Sequence, residues 1–486
     1  MSAAKHYQTK PEDRIPFIQK IIYGIGAFTN NLLSAAIGGM MIVLNLGFGM
    51  NPALVGLLGG IPRLLDAFTD PIMGYISDNT KSKWGRRRPY IFGGAIAAGL
   101  IYILLWQLPD GKSETFYFVY FLIGSFLFYI AYTVYATPWV ALGYELTPDY
   151  HERTRLMGVQ NFLGQIPYLI APWFLWIMSY KGFFENQKQG AAGLALIIGL
   201  IVMILGSLPA IFLKERFAAG STEEGGDNPS AEKSLWENLL AFFKGFLITM
   251  KNGAFLRLCL ATFLIFNGFM LIASFQYYII IYHVFGGDQT VGAEYAGYAG
   301  TLQSISTFVV IVLTTWLGTR IGKRKAFFVS TGLFILGYAL TWFCYTPALP
   351  WLVVVPAPFL AFGLGGLFVL MPSMIADVVD MDELETHQRR EGMFGSIFWW
   401  TVKLGLAAAL ALGGYILNAT GFDVNLGGNQ APRTLLLLRL FYALFPIVTS
   451  LIAIWAIATF PITEEKAYEV RMELEKRRAS LAATSS

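Results

Sequence analysis

Apolar stretches of eighteen or more residues recur twelve times along this chain. They lie near residues 21–46, 52–77, 89–108, 116–146, 156–179, 190–213, 254–284, 293–319, 326–346, 350–376, 393–418 and 434–460. A run of that length signals a membrane span, because about 20 helical residues cross the hydrocarbon layer. Within that layer every backbone N–H and C=O must find its partner inside the segment, so the spans are helices. The expected fold class is therefore an all-α membrane protein with twelve transmembrane helices. Composition agrees: 14% of the 486 residues are charged, against about 25% in soluble domains. Disordered, nucleic-acid-binding and disulfide-rich secreted classes are excluded, and a net charge of +4 is too small to imply a nucleic-acid partner. The two cysteines, Cys259 and Cys344, each sit inside an apolar run and suggest neither a metal site nor a disulfide framework. Residues 1–20 are polar, so the first apolar segment is expected to serve as a retained insertion signal.

The twelve stretches fall into two sets of six. Between them, residues 218–233 read AAGSTEEGGDNPSAEK, a flexible linker by composition. Ser234 and Glu237 form a capping-box pattern, and the Leu235, Trp236, Leu239, Leu240, Phe243 and Phe246 that follow suit a helix lying on the membrane surface. The expected organisation is a first half at 1–213, a cytoplasmic linker at 214–253, a second half at 254–460 and a tail at 461–486. Alternate loops hold thirteen Lys and Arg on one side and four on the other. The positive-inside rule then puts the richer set, and both termini, in the cytoplasm. The halves also echo each other. Trp84-Gly85-Arg86-Arg87-Arg88 follows the second span as Arg320-Ile321-Gly322-Lys323-Arg324-Lys325 follows the eighth. Glu152-Arg153-Thr154-Arg155 precedes the fifth span as Arg389-Arg390-Glu391-Gly392 precedes the eleventh. Two six-helix halves around a central cavity is a secondary-transporter arrangement.

Ionisable residues inside spans are few and costly, about 2.5–3.5 kcal/mol each at mid-membrane. The second span carries Arg63, Asp66 and Asp70, and the eleventh carries Lys403. Asp66 and Asp70, four apart, share a helix face with Cβ atoms about 6 Å apart. Two carboxylates that close in low dielectric need a proton or a cation between them, and either outcome describes a coupling site. Thr69 adds an oxygen ligand of the kind hard cations such as Na⁺ prefer. Arg63 lies on the same face, so an Arg63–Asp66 ion pair of structural origin is the alternative. Lys403 either contacts the aspartates, attracts an anionic substrate, or snorkels to the surface. Candidate cavity-lining residues are Asn30 and Asn31, Tyr132, Thr133 and Tyr135, Asn161 and Gln165, Gln276 and Tyr277, and Trp399 and Trp400. Aromatic rings beside amides suit a sugar, although each also suits an interhelical contact. The four histidines, His6, His151, His283 and His387, show no metal-ligand spacing, and there is no P-loop. No enzyme and no ATP-driven pump is expected.

The chain resembles the glycoside–pentoside–hexuronide:cation symporters of the major facilitator superfamily over nearly its whole length. The resemblance rests on Asp66-Ala-Phe-Thr-Asp70-Pro71-Ile72-Met73-Gly74 running to Trp84-Gly85-Arg86-Arg87-Arg88-Pro89. It is supported by Tyr23-Gly24-Ile25-Gly26-Ala27-Phe28 in span one, and by Ala376-Asp377-Val378-Val379-Asp380 and Thr386-x-x-Arg389-x-Glu391-Gly392 before span eleven. It implies the major facilitator fold, with a cation site of Asp66, Thr69, Asp70 and Thr133 taking Na⁺, Li⁺ or H⁺. The expected substrate residues, read from the cavity-lining candidates, are Asn31, Tyr132, Tyr135, Asn161, Gln165 and Trp399, with Lys403, which also falls on the family's span-eleven lysine. Gly74, Asp78, Arg87, Arg88, Arg153 and Arg389 are the expected conformational switch. Asn31, Ala136 and Asn161 stand where galactoside carriers of the family have two aspartates and an arginine, so a melibiose-like substrate is not expected. The Arg86–Tyr90 loop is also similar to that of proton-coupled plant sucrose transporters, and animal relatives carry lysolipids. The function expected is cation-coupled symport of a glycoside, sugar or sugar acid. The alternatives are a lysolipid carrier or a non-transporting membrane sensor. The expected partners are a small-molecule substrate and membrane lipid. A monomer in the cell (inner) membrane, with no cofactor beyond the coupling ion, completes the expectation.

Overall fold

The computed structural model describes residues 11–147, 150–215, 249–386 and 391–484. The expected surface helix at 234–246 and the switch candidate Arg389 lie outside these residues, as do the side chains of Asp66 and Arg153 within their helices. The first six long helices are α1 (Phe17–Met40), α2 (Pro52–Asn79), α3 (Arg88–Leu105), α4 (Glu114–Glu145), α5 (Tyr150–Ile170) and α6 (Gln187–Phe212). The next six are α7 (Gly253–Ile272), α8 (Gln289–Ile321), α9 (Lys323–Cys344), α10 (Ala357–Thr386), α11 (Glu391–Ala419) and α12 (Pro432–Ala458). A polar helix, α13 (Glu464–Thr484), follows and packs on α10.

Among the described residues, eleven helices are long and apolar enough to cross a membrane. The remaining one of the twelve is α2. It has 28 residues, the apolar stretch Pro52–Leu65 lies within it, and Asp70 and Asp78 follow further along the same helix. The seventh span, expected as one piece, is α7 continued by a short helix at Phe275–Tyr278 and a π-helical turn at Ile279–Val284. Helix starts follow local chemistry. Ser113 accepts from the Phe116 N–H to open α4, Asn186 from Gln189 to open α6, Asn252 from Ala254 and Phe255 to open α7, and Asp288 from Thr290 and Val291 to open α8.

The chain divides into two units, Met1–Met50 with Ile61–Leu235, and Asn51–Gly60 with Trp236–Ser486. In the first, α1 packs on α5 and α6, and α3 packs on α4 and α6. In the second, α7 packs on α11 and α12, and α9 packs on α10 and α12. These pairings repeat between the units, and α4 and α10, like α6 and α12, each carry an internal proline: Pro138, Pro372, Pro209 and Pro446. Close crossings need glycine. A Cβ at Gly99 would lie 2.7 Å from the Gly199 carbonyl oxygen, and one at Gly199 would lie 2.7 Å from that of Gly99, the small-residue contact that lets membrane helices approach. Outward-facing positions such as Leu200, Ile204, Val312, Phe343 and Leu451 are apolar and exposed, as a lipid-facing surface requires.

Candidate functional site

The charged residues of α2 meet α4. Thr69 and Asp70 are neighbours on α2, while Thr133 and Thr137 stand one turn apart on one face of α4. Thr69 Oγ1 and Thr133 Oγ1 are 3.1 Å apart, and Thr137 Oγ1 donates to Asp70 Oδ1 at 3.2 Å. Thr69 Oγ1 also lies 3.2 Å from the Leu65 carbonyl oxygen, its own helix's i−4 acceptor. Two side-chain pairs, Thr69 with Thr133 and Asp70 with Thr137, therefore bridge the two membrane helices one turn apart. That is an oxygen-only donor set, the kind that hard cations take. Thr137 was missed in the sequence, although its i, i+4 spacing from Thr133 was there to read. Asp66 lies in α2 one turn before Asp70. Arg63, a further turn fraction back, has its guanidinium 5.8 Å from the centre of the Tyr129 ring.

The residues expected around a substrate take up different positions. Tyr135 is fully buried, donates from its hydroxyl to the Gly26 carbonyl at 3.0 Å, and stacks on Trp139. It is a core residue that ties α4 to α1, which corrects its assignment to a substrate site. Asn31 donates to the Gly164 carbonyl at 2.7 Å and accepts from Asn30 at 3.0 Å, so its amide links α1 to α5. Tyr132 stacks on Phe128 with ring centres 6.1 Å apart. Asn161 is exposed and Gln165 is half-buried, both on α5. In the second unit Trp399 is half-exposed and stacks on Phe368 at 5.8 Å, and Lys403 is half-buried near the middle of α11.

Of the expected switch residues, Asp78, Arg87 and Arg88 belong to a charge network at the α2–α3 turn. Arg87 is buried and pairs with Asp78 at 2.6 Å and with Glu145, at the end of α4, at 2.7 Å; Arg86 also pairs with Glu145. Arg88 donates to the Ala210 and Ile211 carbonyls at 2.6 and 3.0 Å, capping the last turn of α6. Buried Glu215, just past α6, accepts the backbone N–H groups of Arg86, Arg87 and Arg88 at 2.8, 2.8 and 3.0 Å. A carboxylate therefore sits on the N-terminus of α3, where the helix dipole favours negative charge. Gly85 makes this possible. Its φ is +103°, and a Cβ there would lie 2.6 Å from Glu215 Oε1. Gly74 is under no such constraint, since its nearest neighbour is Thr137 Cγ2 at 3.9 Å.

The second unit repeats the device. Lys323 Nζ pairs with Asp377 on α10 at 2.7 Å, and Arg324 donates to the Ala458 carbonyl at the end of α12. Gly322 has φ +84°, with Glu464 Oε2 2.6 Å from the position of a Cβ. Glu145, Glu215 and Glu464 were missed in the sequence. The available signal was an acidic residue shortly after the sixth span of each half. Glu152, noticed only as part of a basic loop, is 1% exposed; it pairs with Lys20 at 2.5 Å and Arg155 at 3.0 Å and accepts the Ile15 N–H at 3.0 Å.

The family model described as MFS/sugar transport protein matches residues 22–464. The isoprimeverose transporter of Lactiplantibacillus pentosus is 25% identical, over 90% of this chain and 87% of that protein. The glucuronide carrier protein homolog of Escherichia coli (strain K12) is 25% identical, over 94% of this chain and 95% of that protein. Among solved structures, a bacterial homolog of the human lysosomal transporter Spinster, inward-facing and unoccupied, superposes with a TM-score of 0.69 at 15% identity, covering 93% of this chain and 98% of the other. At that identity the likeness concerns the fold, which is the major facilitator fold. The family and its structural neighbours are transporters, not enzymes. With its repeated six-helix pairing and its match across residues 22–464, the chain belongs to the glycoside–pentoside–hexuronide:cation symporter family of the major facilitator superfamily and is a multi-span membrane transporter of a small molecule.

Proposed function

We propose that the chain is a cation-coupled symporter that carries a glycoside, sugar or sugar acid by alternating access, with Asp66, Thr69, Asp70 and Thr133 binding Na⁺ or H⁺. The observation that carries this reading is the hydrogen bond of Thr137 to Asp70 beside the Thr69–Thr133 hydroxyl pair, between α2 and α4. A carboxylate at membrane depth is costly unless it serves an ion pathway or is paired, and the oxygens around it match a hard cation. Coupling requires the cation to favour the conformation that binds substrate well. Two relatives named for isoprimeverose and glucuronide transport support a carbohydrate. Asn31, Ala136 and Asn161 carry no charge, which favours a neutral glycoside, while Lys403 offers one positive group for a sugar acid. The bias of Lys and Arg among the loops supports both termini on the cytoplasmic side of the inner membrane, and the protein is read as a monomer.

The test is uptake of radiolabelled glycosides and glucuronides into proteoliposomes, driven by a Na⁺ or a proton gradient. Accumulation driven by one of these gradients is expected from the wild type and is lost in Asp66→Asn and Asp70→Asn. Wild-type accumulation by both variants overturns the coupling site. Movement of lysolipid with no sugar flux replaces the reading with a lipid carrier, and sugar binding without flux replaces it with a sensor.

A further inference from the structure

We propose that Thr137 is a positioning residue of the cation site, holding the Asp70 carboxylate toward a dehydrated hard monovalent cation such as Na⁺ or Li⁺. This rests on the coupling-site reading above and adds a residue that the family resemblance does not supply. Thr137 Oγ1 donates to Asp70 Oδ1 at 3.2 Å. One turn earlier on the same face of α4, Thr133 Oγ1 stands 3.1 Å from Thr69 Oγ1. Thr69 and Asp70 are consecutive in the chain, so two hydroxyls one helical turn apart grip two adjacent residues of α2. A Cβ built on Gly74, one turn below Asp70, would meet Thr137 Cγ2 at 3.9 Å, so the Thr137 side chain lies beside α2 with its hydroxyl on the carboxylate.

A carboxylate can rotate about its terminal torsion over a broad range. A hydroxyl that donates to Oδ1 restrains where that oxygen lies and narrows the rotation of the group. Pre-orienting an oxygen ligand raises ion affinity by removing the cost of ordering it at binding. The Thr137 hydroxyl also has lone pairs of its own, so the residue adds an oxygen beside the carboxylate. A proton needs no such shell, whereas a dehydrated cation needs several oxygens arranged together. The arrangement therefore points to a metal cation rather than a proton.

The experiment is thermal unfolding of the full-length chain purified in detergent, titrated with NaCl or LiCl against choline chloride at constant ionic strength. No sugar is needed. Na⁺ raises the wild-type Tm by linkage, and Asp70→Asn abolishes the rise. Thr137→Val keeps the side-chain shape, removes the hydroxyl and raises the half-saturating Na⁺ concentration about tenfold, the scale of one lost hydrogen bond to a charged group. Thr137→Ser brings it back to within about twofold of wild type. Should Thr137→Val fail to fold, Thr137→Ala is read in its place. A half-saturating Na⁺ unchanged in the variant lacking the hydroxyl overturns the role of Thr137 while leaving the Asp70 site standing. A wild type that ignores Na⁺ and Li⁺ overturns the metal-cation site itself, and this proposal with it.

Discussion

Single residues at helix junctions carry more of this protein's charge chemistry than its spans do. Glu152 shows how. It lies in the first turn of α5, before the apolar stretch at residues 156–179, and it joins Lys20, Arg155 and the Ile15 amide. Burial pushes its carboxyl up, but the Lys20 and Ile15 hydrogen bonds and Arg155 outweigh that and hold it below the ordinary carboxylate range. A lowered folded-state value means that the group stabilises the fold above its ordinary unfolded value. That contribution disappears as pH falls through the depressed folded value. Glu152→Gln is expected to cost about 2 kcal/mol, seen as a lower Tm of the detergent-solubilised chain at pH 7. The gap between variant and wild type is expected to narrow as the pH drops through the carboxylate range. A gap that stays constant to the lowest pH at which both remain folded rules out the charged form as the source. Gly85 marks the opposite kind of residue, where absence of a side chain is the requirement. Gly85→Ala combines a positive φ with a Cβ 2.6 Å from Glu215, so a loss of about 1–3 kcal/mol is expected, read as the same Tm shift.

At the level of elements, the crossings decide what glycine is for. Gly93 and Gly94 are neighbours in α3. A Cβ on Gly93 would meet nothing within 4 Å, whereas one on Gly94 would lie 2.5 Å from the Tyr135 amide of α4. Gly94→Ala is expected to destabilise the solubilised protein by several degrees. Gly93→Ala is expected to leave it unchanged or slightly raised, by the gain in helix propensity. Equal effects of the two substitutions would show that the crossing is not tight. The turns between α2 and α3 and between α8 and α9 supply a second element-scale expectation. Arg87 between Asp78 and Glu145, and Lys323 on Asp377, are ion pairs whose partners lie on other helices. Removing one member leaves the other uncompensated. Arg87→Gln and Lys323→Gln are each expected to lower the maximal uptake rate about tenfold, which is about 1.4 kcal/mol on a barrier. The substrate concentration for half-maximal uptake should stay within about twofold. A change confined to that concentration, at wild-type maximal rate, sinks a conformational role.

For the whole molecule, the orientation proposed from loop charge is open to direct labelling. Lys81 and Lys112 are exposed on opposite sides of α3 in chain order, and the native cysteines are both buried. A membrane-impermeant maleimide is expected to label Lys112→Cys in intact cells and Lys81→Cys only after lysis; the reverse pattern inverts the topology. The family was legible by resemblance, from the Asp66–Asp70 motif and its basic loop. What the sequence alone determined by local chemistry was the twelve apolar stretches, the six-plus-six repeat and the i, i+4 placement of Asp66 and Asp70. These are properties of chemistry that the bilayer and the helix impose locally: apolar length, i, i+4 spacing, and lysine and arginine gathered in alternate loops. It misjudged Tyr135, because a tyrosine in a span reads the same whether its hydroxyl faces a cavity or, as here, the carbonyl of Gly26. It did not find Thr137, Glu145, Glu215 or Glu464, for a related reason. Glu215 acts on the amides of Arg86, Arg87 and Arg88, some 130 residues away in the chain, and its arrival adds a steric demand to the positive φ that already favours Gly85. Periodicity reports which face a residue is on; only the packing of α2 on α4 and of the α6 end on the α3 start decides what it touches.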